Sequence, residues 1–172
     1  MNHVHPTDEY LDLVDENDVV IGRKLRADVR AENLSNFRVV NLFIRNSLGE
    51  LWIPRRSAHK RDRPLALDMS MGGHVDSGET YEEALKRETM EELNINLDVT
   101  PALYLGYLVP HRDQVGAFMK VYELSMDEVP NYNKNDFIEY FWLTPEELLE
   151  RIKEVVSAKY DLPIVVKRFY IR

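Results

Sequence analysis

The side chains best equipped for chemistry are Glu79, Arg87, Glu88, Glu91 and Glu92, which follow closely on three glycines, Gly72, Gly73 and Gly78. On a helix running from about Thr80 to Leu93, at roughly 100° per residue, Tyr81, Ala84 and Leu85 define an apolar arc, and Glu88 and Glu92 project within it. Glu91 lies beside them, and Arg87 stands one turn before Glu91. Carboxylates aimed at the protein body must be paired or bound to a metal, because an unpaired buried carboxylate is costly or becomes protonated. One arginine does not balance three of them. A hard divalent cation does: Mg²⁺, or Mn²⁺ in its place, takes oxygen ligands, keeps several waters and shares its remaining positions with substrate phosphates. The glycines let backbone carbonyls and amides come close to such an ion or to a phosphate, and the helix N-terminus favours an anion.

The same stretch contains its own start and stop signals. Thr80-x-x-Glu83 is a capping box, and Asn94 tolerates the left-handed conformation that ends a helix. A solvated, salt-bridged surface helix accounts for Glu82, Glu83 and Lys86 but leaves Glu88 and Glu92 pointing inward without a reason.

Residues 73–95 resemble the Nudix box, G-x5-E-x7-R-E-U-x-E-E-x-G-U with U a bulky apolar residue. Gly73, Glu79, Arg87, Glu88, Glu91, Glu92 and Ile95 match it, whereas Thr89 stands where an apolar residue is usual and Asn94 replaces the last glycine. The resemblance implies an α/β fold, an α/β/α sandwich with a central mixed sheet, and a single Nudix hydrolase domain over residues 1–172. It also implies attack by water on phosphorus in a diphosphate linkage, with metal ligands at Glu88, Glu91, Glu92 and a carbonyl at Gly73 or Gly72. Glu88 is the expected base with Glu91 as the rival, and Arg87 is expected to orient carboxylates, particularly Glu91 and Glu79. Some members of the family bring a further carboxylate from outside the box; Asp136, Glu139 and Asp113 are the candidates here, and spacing does not choose among them.

Over about residues 9 to 150 the chain also resembles the branch that includes isopentenyl-diphosphate isomerase. Where that enzyme has its catalytic cysteine this chain has Gly72, its metal-binding histidines would fall near Arg30 and Phe37, its second glutamate near Ala117, and only His74 survives. Double-bond isomerisation therefore lacks a proton donor. A third reading, a non-catalytic ligand-binding protein on this scaffold, predicts loss of a box carboxylate, and all are present.

The elements that must position the box can be read around it. Two strands, YLDLVD and VVIGR, flank an Asp15–Asp18 turn, a helical turn is expected within Leu25 to Leu34, and RVVNLFIR from Arg38 is a core strand. Asn46–Gly49 makes a hairpin turn and Glu50 to Pro54 returns as its partner. Arg55 and Arg56 then open a basic loop; they are candidate diphosphate contacts ahead of Lys60, Arg61 and Arg63, although basic loops are as often only solvated. A strand is expected from Leu65 to Ser70, leading into the Gly72-Gly73 loop, where His74 is a candidate substrate contact. Leu97 to Pro110, Ala117 to Leu124 and Phe137 to Leu143 read as further strands, and His111–Gln114 as a connecting loop in which Arg112 or Asp113 is placed to touch substrate. Thr144-Pro145-Glu146-Glu147 opens a helix whose packing stripe is Leu148, Leu149, Ile152, Val155 and Val156, and a last helix runs from near Asp161 to Tyr170.

Bulk properties bound the partners. The 172 residues carry 30 acidic against 22 basic side chains, a net charge of -8 that opposes binding to duplex nucleic acid or an anionic membrane surface but leaves a small phosphorylated substrate open. With no cysteine, disulfides, thiolate zinc sites and cysteine nucleophiles are excluded. The first ten residues lack the features of a secretion signal and no apolar run approaches the ~18 residues of a membrane span, so a cytoplasmic location is expected.

Overall fold

The computed structural model describes residues 9–154 and 157–172. Its elements in order are β1 (Tyr10–Val14), β2 (Val20–Leu25), α1 (Arg26–Ala31), β3 (Arg38–Arg45), β4 (Leu51–Arg56), β5 (Met71–His74), α2 (Tyr81–Leu93), β6 (Leu103–Leu108), α3 (Pro110–Asp113), β7 (Phe118–Ser125), β8 (Phe137–Leu143), α4 (Pro145–Lys153) and α5 (Leu162–Tyr170). Val155 and Val156, expected in the stripe of α4, lie outside the described residues, as do His3 and His5.

The main sheet runs β6-β7-β3-β4-β8 with β5 added to β3. It is mixed: β3 and β7 are parallel over their whole length and every other pair is antiparallel. Because side chains alternate along a strand, β3 feeds two cores. Val40, Leu42 and Ile44 pack with Tyr81, Ala84, Leu85 and Leu93 of α2. Phe43, on the other face, packs with Leu148 of α4 and Leu162, Val165 and Val166 of α5. Helices thus cover both faces of a mixed sheet, the expected α/β architecture.

One edge of β3 is divided between two partners. β4 meets it only at Arg45 opposite Leu51, whereas β5 takes Val39 to Leu42, so the hairpin expected after Gly49 closes for one rung and β4 then pairs along its length with β8. The strand expected from Leu65 to Ser70 is absent: that segment makes only isolated bridges at Leu67, and the strand is the glycine segment itself, Met71–His74. The strand expected from Leu97 is confined to Leu103–Leu108, after a turn at 97–99, and the His111–Gln114 loop is mostly the short helix α3.

The β1–β2 hairpin braces the start of α2. Asp12 accepts hydrogen bonds from the Ser77 hydroxyl at 2.6 Å and the Gly78 N–H at 3.0 Å. Asp18, in the turn, accepts from the Tyr81 and Tyr107 hydroxyls at 2.8 Å each and from Arg38 at 2.6 Å. A turn that reads in sequence as plain punctuation is therefore an anchor for the box helix.

Candidate active site

Helix α2 begins and ends as its residues dictate. Thr80 and Glu83 form a complete capping box, and Asn94 sits at φ 55°, ψ 36°, doing the work of the glycine it replaces. Thr89 is fully buried, and its hydroxyl has no partner among the described residues. That unpaired group is a local cost of departing from the apolar residue usual there.

The inward glutamates are where the helical arc put them. Glu92 is 8% exposed. Its carboxylate receives the Gly72 N–H at 3.4 Å and lies 3.9 Å from the Lys60 ammonium. Glu88 lies against β5, where a Cβ on Gly73 would stand 2.1 Å from its Cδ. Only a glycine leaves room for this carboxylate to rest on the strand. Glu91 differs: its side chain is 59% exposed, turned to solvent at the rim. Among the described residues no group of three or more His, Asp or Glu side chains is arranged to hold an ion as it stands, because the three carboxylates are spread over inner face, strand edge and rim.

Arg87 is the organising cation. Its guanidinium donates to both oxygens of Glu79 at 2.8 Å, to Glu88 Oε1 at 2.9 Å and to the His74 carbonyl at 3.0 Å. Glu91 is farther away at 3.7 Å, so the carboxylates that Arg87 orients by hydrogen bonds are Glu79 and Glu88, and not the expected Glu79 and Glu91.

Burial pushes Glu88 up to about 7 from its ordinary 4.5, with Arg87 opposing the rise and Glu91 and Asp76 adding to it. Burial raises Glu92 well above the ordinary carboxylate range too, reinforced by Glu88 and eased by Lys60. Two carboxylates held at such cost beside a glycine strand fit a hard divalent cation, and every available donor is oxygen. The fit has a measurable signature. Glu88's folded value lies above its unfolded one, so its stabilising contribution is full below about pH 4.5 and is lost as pH rises toward 7. Metal-free protein is therefore expected to lose up to about 3 kcal/mol between pH 5 and pH 8 from this group. Mg²⁺ added at pH 8 is expected to restore the melting temperature, and a flat profile in chelator, read by thermal unfolding, would contradict the account.

The other candidates fall in different places. Arg55 pairs with Glu139 and donates to the Leu65 carbonyl, so both residues are spent on each other. Arg56 is buried against Asp68 at 2.5 Å. Neither arginine is presented as a free diphosphate clamp. His74 stacks on Phe37 with ring centroids 5.5 Å apart. Burial and then nearby cations, Arg26 first, hold its imidazole well below its ordinary value, so it is neutral at physiological pH. Asp113 caps its own turn and pairs with Arg112. Asp136 comes nearest the box of the three extra carboxylates, because it pairs with Lys60, which also faces Glu92. Lys60 is the cation facing Glu92, and nothing in the sequence of the basic loop distinguishes it from Arg55 and Arg56.

The match to known proteins agrees with this geometry. A family model described as the NUDIX domain matches residues 35–162. This chain belongs to the Nudix family. It is 59% identical over 162 residues to an uncharacterised Nudix hydrolase of Nostoc, covering 94% of this chain and 96% of that one. It is 51% identical over 164 residues to a Nudix hydrolase of Deinococcus radiodurans, covering 95% of each. A crystal structure of a Deinococcus radiodurans protein superposes with a TM-score of 0.89 at 50% identity, covering 94% of this chain and 99% of that one. The protein is thus a Nudix hydrolase, of a family that acts on small phosphorylated substrates and generally uses divalent metals. Among the described residues no helix is long and apolar enough to cross a membrane.

Proposed function

We propose that this Nudix hydrolase cleaves a diphosphate linkage in nucleoside di- or triphosphates, dependent on Mg²⁺, by attack of water on phosphorus. The observation that carries the reading is that Glu88 and Glu92 converge beside Gly72 and Gly73 with their carboxyls raised by burial, although Arg87 hydrogen-bonds Glu88 at 2.9 Å and Lys60 stands 3.9 Å from Glu92. Glu88, Glu92, the Gly73 carbonyl and Glu91, the last after rotating inward from the rim, are the proposed ligands. Bound Mg²⁺ would neutralise phosphoryl oxygens and lower the pKa of water. Glu88 is the proposed base, through a carboxylate oxygen not taken up by the ion. Glu91 is the rival. Arg87 holds Glu88 and Glu79 in place and ties both to β5 through the His74 carbonyl.

The likeness to isopentenyl-diphosphate isomerase is read as one of scaffold. The chain has no cysteine, and Gly72 and Ala117 offer no acid or base to a carbon centre. The hairpin that precedes the family match is hydrogen-bonded into the box loop, which supports reading residues 1–172 as one Nudix domain.

The test is a panel of nucleoside di- and triphosphates with Mg²⁺, scored for release of phosphate or nucleoside monophosphate. Turnover that chelator abolishes is expected. Nucleotide binding without turnover anywhere in the panel would replace hydrolysis by the non-catalytic reading.

A further inference from the structure

The basic loop after β4 and the segment before β8 meet at the last turn of α2, and a relay of backbone hydrogen bonds fixes them there. The Lys60 N–H donates to the Ser57 carbonyl at 3.3 Å, Ser57 to Asp136 at 2.8 Å, Asp136 to Asn133 at 2.9 Å, and Asn133 to the carbonyl of Glu92 itself at 2.8 Å. Two arginines hold the rest of the loop by its carbonyls, Arg56 at Asp62 and Arg30 at Arg61, 3.1 and 3.0 Å away. Lys60 therefore approaches the box from a backbone that is itself tied to the box, and its position relative to Glu92 is set by the fold.

The Lys60 ammonium donates to Asp136 Oδ1 and faces Glu92 Oε1 across 3.9 Å. At that separation it lends charge to Glu92 without taking a lone pair of the oxygen. Among the described residues no other basic side chain forms an ion pair with Glu92. Arg87, the other cation of the site, has placed its donors on Glu79, Glu88 and the His74 carbonyl. The Lys60 side chain is 25% exposed and that of Glu92 10%, so solvent screens the pair only in part. Two carboxylates already face this ammonium, which leaves it badly placed to receive a phosphate; what it can do is act on the charge of the metal site.

We propose that Lys60 is a resident counter-cation of the metal site, which shares Glu92 with the divalent ion and so sets how much free ion the site requires before it fills. Without an ion, Lys60 offsets part of the cost of the buried carboxylate. With one, the ammonium and the ion are like charges held to the same carboxylate, and their repulsion weakens the hold on the ion. Asp136 keeps the ammonium from swinging out to solvent. The proposal takes the ion and its ligand Glu92 from the hydrolase reading, and it adds a positioned charge from outside the box that tunes affinity while touching neither ion nor substrate.

Mg²⁺ alone is the probe, its affinity for the full chain measured by calorimetry at one fixed pH, with melting temperatures in chelator to show that each variant is folded. Lys60→Met and Lys60→Gln are expected to bind Mg²⁺ about tenfold tighter or more, whereas Lys60→Arg, which keeps the charge, should stay within about threefold of native. Arg61→Met removes the same charge from an exposed side chain of the same loop and is expected to stay within about twofold. Placed in an Asp136→Asn background, Lys60→Met should still tighten Mg²⁺ relative to Asp136→Asn alone, which separates loss of the ammonium from release of a new carboxylate. A folded Lys60→Met or Lys60→Gln protein with native or weaker affinity overturns the proposal, as does a tightening that Arg61→Met reproduces or that disappears with Asp136→Asn. If native enzyme turns over nucleotides while both Lys60 variants keep native Mg²⁺ affinity, the counter-cation falls and the hydrolase reading stands. If both variants bind Mg²⁺ tighter and native protein turns over no nucleotide, the hydrolase reading falls and the counter-cation stands.

Discussion

Glu88→Gln is expected to lower kcat by about 10²- to 10⁴-fold, the range for removing a positioned general base, while making the metal-free protein more stable at pH 8. The second half of that expectation follows from the sign of the shift. Burial holds Glu88 up to about 7, so the fold prefers the neutral form, and glutamine is neutral at every pH. The pH dependence of stability expected for native protein should flatten in this variant for the same reason. Thermal unfolding in chelator, paired with turnover in Mg²⁺, checks both halves. A variant that lost activity and stability together would point to a structural role for Glu88, and one that kept its activity would transfer the base role to Glu91.

Gly73→Ala is expected to cost about 10²-fold or more in kcat and about 1–3 kcal/mol in stability, although it adds a single methyl group outside the helix. The added carbon would stand 2.1 Å from Glu88 Cδ and 2.3 Å from both Cγ and Oε1, distances that no rotamer adjustment of an alanine relieves. Either Glu88 leaves its place on β5, giving up its contact with Arg87, or α2 lifts from the sheet. Putting Gly73→Ala into a Glu88→Ala background separates strain from chemistry, because the group that clashes is then gone. The stability cost should largely vanish there, a non-additivity expected of residues in contact. A full cost in that background would locate the strain elsewhere, and near-native kcat in the single variant would show that Glu88 does not need this perch.

Local periodicity carried a good deal of this site. The inward placement of Glu88 and Glu92, the capping box and the left-handed stop at Asn94 depend on neighbours within a turn or two, and each is where its residues place it. Glu91 is adjacent to Glu92 on the same helix, but its angle around the axis takes it to the rim, and the spacing of the box alone does not distinguish ligand from rotamer. Pairings across the chain were not legible in the same way. Nothing in PRRSAHKRDRP says that Arg55 will be neutralised by Glu139 and Arg56 by Asp68, or that Lys60 will be the cation facing Glu92. The divided edge of β3 was missed because a strand's local pattern does not name its partner: the hairpin turn at Asn46–Gly49 suggested a long β3–β4 ladder, and β5 occupies most of that edge.

The bonds from Asp12 and Asp18 to the start of the box helix have a consequence for where the protein can be cut. The stretch by which the family is recognised begins at residue 35, downstream of the whole β1–β2 hairpin. A chain trimmed to that point would keep every box glutamate and yet release Ser77, Gly78 and Tyr81 from their external supports. The segment that identifies the enzyme is thus shorter than the segment that keeps its working helix seated.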